Sequence, residues 1–148
     1  MISNYRLFSA IAVVSLFLLA LTGCGAGKSD SLAPEYKGIK FIGQGEETTD
    51  INVAIFNDLE EVVFIQTVRV IDNQPSAEKV FQAITANRDL GMNVTQNKEG
   101  HVEGVEGLNS NKEYEWRLYV DNQEDNRRLS DITLDEGQPL TLRYESVH

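Results

Sequence analysis

Only one stretch of this chain repeats its apolar residues at the spacing of a helix, and runs that alternate like strands flank it on both sides. Ala77, Val80, Phe81 and Ile84 follow Ser76, and residues three and four apart share one helix face. Ser76 is a good N-cap, because its hydroxyl oxygen accepts a hydrogen bond from an unpaired N–H of the first turn. Glu78 in the first turn and Arg88 in the last complement the helix dipole, and Gly91 is placed to end the helix. A single short amphipathic helix must bury its apolar stripe, and here only a sheet can receive it. The expectation is an α+β domain: a small, mostly antiparallel sheet with one packed helix.

The strand runs are readable. Residues 51–56 and 62–71 are β-rich and surround Asn57, Asp58, Leu59, Glu60 and Glu61, which predicts an antiparallel hairpin with a five-residue loop. Beyond the helix, strands are expected at 93–96, 101–105, 113–120 and 140–144, with turn-forming residues at 98–100 and 135–137. Alternation in the run 113–121 places Tyr114, Trp116, Leu118 and Val120 on one face, and Glu113, Glu115, Arg117, Tyr119 and Asp121 on the other. Trp116, the only tryptophan, is thereby expected in the core, anchored with Leu118 against Val80, Phe81 and Ile84. Tyr119 is left on the face where a ligand can reach it.

The amino-terminal residues predict a location. Arg6 precedes a run, residues 7–21, that is apolar except for Ser9 and Ser15, the length of a signal-peptide core. That is shorter than the ~18 apolar residues a membrane span requires. Leu21-Thr22-Gly23-Cys24 closes the run and resembles the bacterial lipobox. The resemblance implies that residues 1–23 are a lipoprotein signal peptide, removed before Cys24. It also implies that Cys24 carries a diacylglycerol and an acylated amino terminus, since two or more acyl chains anchor a protein stably where one does not. Residues 24–50 are then the lipidated cysteine and a flexible tether, small and polar in its first ten residues. A domain of residues 51–148 follows, held to a cell membrane or outer membrane and facing outside the cytoplasm.

Composition closes off several classes of function. The formal net charge is −10, and cleavage before Cys24 would remove Arg6 and no acid. Nucleic-acid binding needs basic clusters that this chain lacks. With Cys24 as the only cysteine, there is no disulfide framework and no thiol left for catalysis. Two histidines, His101 and the terminal His148, make no zinc spacing. The run 121–126 has calcium-loop oxygen donors, but Asn126 stands where an EF-hand requires glycine and Ile132 where it requires glutamate. No enzyme is expected, and no cofactor is required.

The carboxy-terminal two thirds resemble a known family. Residues 76–84 (SAEKVFQAI), 100–108 (GHVEGVEGL), 115–122 (EWRLYVDN) and 134–144 (LDEGQPLTLRY) follow the order of the small β-domain that closes the cobalamin carriers transcobalamin and intrinsic factor. That family has an aromatic where His101 stands, Asn-Gly where Asp121 and Asn122 stand, and Asp where Gln138 stands. The resemblance implies a β-grasp-like, transcobalamin C-terminal-like domain acting as a binding module, with cobalamin or a related corrinoid as the candidate ligand. Tyr119, Arg117, His101 and Trp116 are the candidate ligand-binding residues. The carriers' helical barrel, which supplies the other half of their site, has no counterpart in this chain. The alternative is an envelope protein contact or adhesion role with no small ligand.

Overall fold

A computed structural model describes residues 36–148, and its folded unit spans Lys37–His148. The expected signal peptide, Cys24 and the first part of the expected tether lie outside the described residues. Nine strands, one α-helix and one 3-10 turn make up the unit: β1 (Ile39–Ile42), β2 (Thr48–Phe56), β3 (Val62–Ile71), α1 (Ala77–Ala86), β4 (Val94–Gln96), β5 (Val102–Val105), β6 (Leu108–Asn109), β7 (Tyr114–Val120), β8 (Gln123–Glu124), the 3-10 turn (Leu129–Asp131) and β9 (Pro139–Ser146). The result is a sheet-rich α+β fold.

Six strands form one sheet in the order β1-β3-β2-β9-β7-β8, and β4-β5-β6 form a second. The expected hairpin is present, β2 running antiparallel to β3 with Ile51 opposite Val68. The large sheet is mixed but, as expected, mostly antiparallel: three of its five pairings are antiparallel and two are parallel. β1 runs parallel to β3 and β2 parallel to β9, because the chain crosses through the helix and the small sheet before β9 returns beside β2. Parallel neighbours need a long crossover, and local alternation carries no record of it.

The domain begins before residue 51. Ile39 is buried, and the acidic segment after β1 is a folded turn held by Asp72. The Asp72 carboxylate accepts from the Gln44 N–H at 2.9 Å and the Gln74 N–H at 2.8 Å, and Lys79 Nζ of the helix lies 2.8 Å away. Gly43 passes so close that a Cβ there would fall 1.9 Å from the Asp72 carboxylate. Residues 37–50 thus belong to the domain rather than to the tether.

Ser76 caps α1 as expected, its hydroxyl accepting from the Lys79 N–H, and Ala77, Val80, Phe81 and Ile84 are buried. The helix stops sooner than Gly91. Asn87 leaves the helical conformation, its N–H bonded to the Ile84 carbonyl and its side chain accepting from the Asp89 N–H. Asparagine offers the backbone this local alternative to a helix. Arg88 therefore lies past the last turn, and Gly91, with φ of 59°, completes the turn that follows.

Two layers cover the inner face of the large sheet. The helix lies against β1 and β3, while β5 of the small sheet lies against β7. Trp116 and Leu118 are buried as expected, in one hydrophobic core with Val80, Phe81 and Ile84.

Candidate functional site

Three of the four candidate ligand-binding residues come together, and the fourth stands apart. β7 pairs with β9 along its whole length on one side. On the other side, β8 reaches only Tyr119 and Val120. The rest of that outer edge faces a cleft of about 340 Å³, lined among others by His101, Glu103, Glu115, Trp116, Arg117, Leu118, Asp125 and Arg127. His101, Trp116 and Arg117 share this cleft. Tyr119 lies instead in a groove of about 320 Å³ on the open face of the large sheet, with Ala54, Phe56, Asn122, Thr141, Arg143 and Glu145.

Several side chains of the cleft are held by hydrogen bonds. Trp116 is 8% exposed, donates its indole N–H to the Leu108 carbonyl at 2.7 Å, and packs against Tyr144 with ring centres 4.9 Å apart. It forms a wall of the cleft and presents little face to it. Ser110 Oγ accepts from the Trp116 backbone N–H at 3.0 Å, tying the small sheet to the same edge. His101 Nε2 lies 3.0 Å from the Asn126 carbonyl, fixing the ring to the loop after β8.

Two ion pairs lie in the cleft. Arg117 Nη2 meets Glu115 Oε1 at 2.7 Å, and this bond holds the guanidinium above its ordinary pKa. Arg127 Nη2 meets Asp125 Oδ2 at 2.6 Å, which holds the Asp125 carboxyl below the usual range. Such surroundings suit a polar ligand with several hydrogen-bonding groups. Among the described residues no cluster of His, Cys, Asp and Glu is arranged to hold a metal ion.

On the open face the Tyr119 hydroxyl donates to Glu145 Oε2 at 2.7 Å. Burial of the ring, reinforced by that bond and the Glu145 charge, raises the phenol above its ordinary pKa. Its ring edge is available, but its hydroxyl is occupied. The sequence reading missed Arg143 here, which lies 4.9 Å from the centre of the Phe56 ring. Alternation along 139–146 could have found it, since Arg143 falls on the same face as Thr141. The missed residues Asp125 and Arg127 carried no periodic signal, because they lie in the loop after β8.

No family model and no curated protein matches the sequence. Solved structures do. Haptocorrin, solved in complex with Cbi, matches with a TM-score of 0.58 at 15% identity over 72% of this chain. The match spans 27% of the haptocorrin chain. A protein from Ruminococcus gnavus ATCC 29149, to which metal binding has been ascribed, covers 68% of this chain at 10% identity. Its TM-score is 0.48. The likeness is one of fold: this chain shares the fold of part of haptocorrin.

Proposed function

We propose that this chain is a lipid-anchored extracytoplasmic lipoprotein whose domain is a non-catalytic binding module for a corrinoid or a similarly flat, polar-rimmed small molecule. The observation that carries the reading is the coincidence of a transcobalamin-like fold with a polar cleft at the outer edge of β7, where His101, Arg117 and Trp116 converge. The strand order β3-β2-β9-β7, with a helix crossing between hairpin and return strands, supports a β-grasp-like description. A cleft of about 340 Å³ sits near the lower end for small-molecule sites. It accommodates one edge of a corrinoid, so a second chain or copy supplies the other half. Cys24 is the membrane attachment point, in the inner or outer membrane.

Spectral and calorimetric titration with cobinamide and cobalamin tests this, using wild type, His101→Ala and Tyr119→Ala. Weakening by His101→Ala places the ligand in the cleft. Weakening by Tyr119→Ala, by about 1 to 2 kcal/mol, moves it to the open face. Absence of any spectral or heat change at high micromolar corrinoid overturns the ligand reading. An envelope protein contact then takes its place, and Ile65, 70% exposed on the open face, favours that second reading.

A further inference from the structure

The outer edge of β7 is closed by the chain at both ends and left open in the middle. The Val147 N–H bonds to the Glu113 carbonyl and the Asp121 N–H to the Pro139 carbonyl, so the odd-numbered residues of β7 turn their main-chain groups toward β9. Tyr114, Trp116, Leu118 and Val120 turn theirs outward, by the alternation of an antiparallel ladder. At one end Asn111 meets both main-chain groups of Tyr114, and Ser110 Oγ accepts from the Trp116 N–H. At the other, Val120 pairs with Gln123 of β8, and the Asp125 N–H bonds to the Leu118 carbonyl at 2.9 Å.

There the ladder stops, and Asp125 is the reason. Its Oδ1 accepts from the Arg127 N–H at 3.0 Å, the group that would pair with the Trp116 carbonyl if β8 ran on. The chain turns away, and the Trp116 carbonyl and the Leu118 N–H are left without a hydrogen-bond partner among the described residues. Both belong to the stretch of strand that lines the cleft of about 340 Å³. This acceptor and donor, on either side of Arg117, are the two groups that an added strand takes in either direction. A single guest residue opposite Arg117 serves both if the strand is parallel, and that residue's two neighbours serve them if it is antiparallel. Unpaired main-chain groups on a sheet edge are a template for a further chain.

Resting on the reading of this cleft as a binding site, and going beyond a small-molecule ligand, we propose that it receives an extended peptide segment as an added strand on the Trp116 carbonyl and the Leu118 N–H. The side chain of the guest residue opposite Arg117 points to the open face, beside Glu115 and Arg117, and suits a polar residue. The guest residues on either side of it point inward, where Val102, Leu118 and Leu129 line the cleft, and suit small apolar side chains. Glu103, Glu115 and Asp125 stand against Arg117 and Arg127 in the cleft, so the fitting segment is close to neutral.

Amide hydrogen exchange and NMR titration of the full chain in detergent micelles test this. The probe is acetyl-Val-Ser-Val-amide, with the same peptide N-methylated at Ser or at the second Val. In the free protein the Leu118 N–H is expected to exchange many-fold faster than the Arg117 and Tyr119 N–H groups, which face β9. The peptide should slow that exchange several-fold and shift the Leu118 amide resonance. One of the two N-methylations should abolish the effect, that at Ser reporting a parallel strand and that at Val an antiparallel one. Asp125→Ala, which frees the Arg127 N–H for the Trp116 carbonyl, should weaken binding several-fold, while Asp125→Asn, which keeps the Oδ1 acceptor, should not. Protection of Leu118 equal to that of Tyr119 in the free protein shows the edge already closed and overturns the proposal. So does a peptide at millimolar concentration that leaves Leu118 unchanged, or binding that neither N-methylation weakens. A Leu118 response to cobinamide and not to the peptide assigns the pair to the small-molecule ligand and overturns strand addition. A response to the peptide alone leaves strand addition standing without the corrinoid reading.

Discussion

Trp116 illustrates how one residue can be placed in the core from sequence while its specific partners stay hidden. Alternation put it in the core, where it is, but its partners, the Tyr144 ring and the Leu108 carbonyl, lie on other strands and leave no mark on that alternation. Trp116→Ala should lower stability by about 3 to 5 kcal/mol, as truncation of a large buried side chain does. Trp116→Phe keeps most of the packing and leaves the Leu108 carbonyl without its donor, a loss of about 1 to 3 kcal/mol. Denaturant melts of both variants check the order. Asp72 makes a second residue-scale prediction. The Lys79 ammonium first, then the Gln44 and Gln74 N–H groups, lower its pKa to about 2. A depressed carboxyl contributes stability above its unfolded value near 3.9, and that contribution is lost as pH falls toward about 2. Asp72→Asn should therefore be less stable than wild type at neutral pH, with the gap closing between about pH 4 and pH 2 in acid-unfolding curves.

Among the elements, the β7–β8 turn departs most from easy backbone geometry. Asp121 and Asn122 have φ of 51° and 63°, the left-handed pair required by the tightest hairpin connection. Asparagine tolerates this region better than other side chains, and glycine better still. Asn122→Gly should raise stability by a few tenths to about 1 kcal/mol, and Asn122→Val should lower it by about 1 to 2 kcal/mol. Thermal melts read both. The helix offers the larger effect, since Phe81 is fully buried in its packed face. Phe81→Ala should cost about 3 to 5 kcal/mol, and a melting temperature close to wild type would contradict that placement.

At the scale of the whole molecule, the two covers of the sheet explain where binding can occur. The helix seals β1 and β3, the small sheet seals the inner face at β7, and the cleft opens where the small sheet meets the edge that β8 leaves uncovered. Nothing in the local pattern of β7 distinguishes that edge from a paired one. Location is a separate matter, and the proposed lipid anchor makes it depend on Cys24. Cys24→Ser should shift the protein from the detergent phase to the aqueous phase, or leave it as uncleaved precursor, in phase-partitioning and mass measurements. Unchanged partitioning would show that something other than Cys24 holds the protein to the membrane.

The sequence by itself determined the elements that depend on near neighbours: the helix with its Ser76 cap, the β2–β3 hairpin, the inward faces of β7 and the turn at residues 135–137. Period, capping and turn chemistry are local, so they can be read locally. Tertiary structure alone decided the parallel pairing of β1 with β3 and of β2 with β9, because a register between distant strands leaves no trace in either. It also drew the acidic segment 43–47 into the domain through Asp72. Of the four candidate residues it brought His101, Trp116 and Arg117 to one cleft and left Tyr119 on another surface. A pocket is made by elements far apart in the chain, and the sheet order fixes which of them meet.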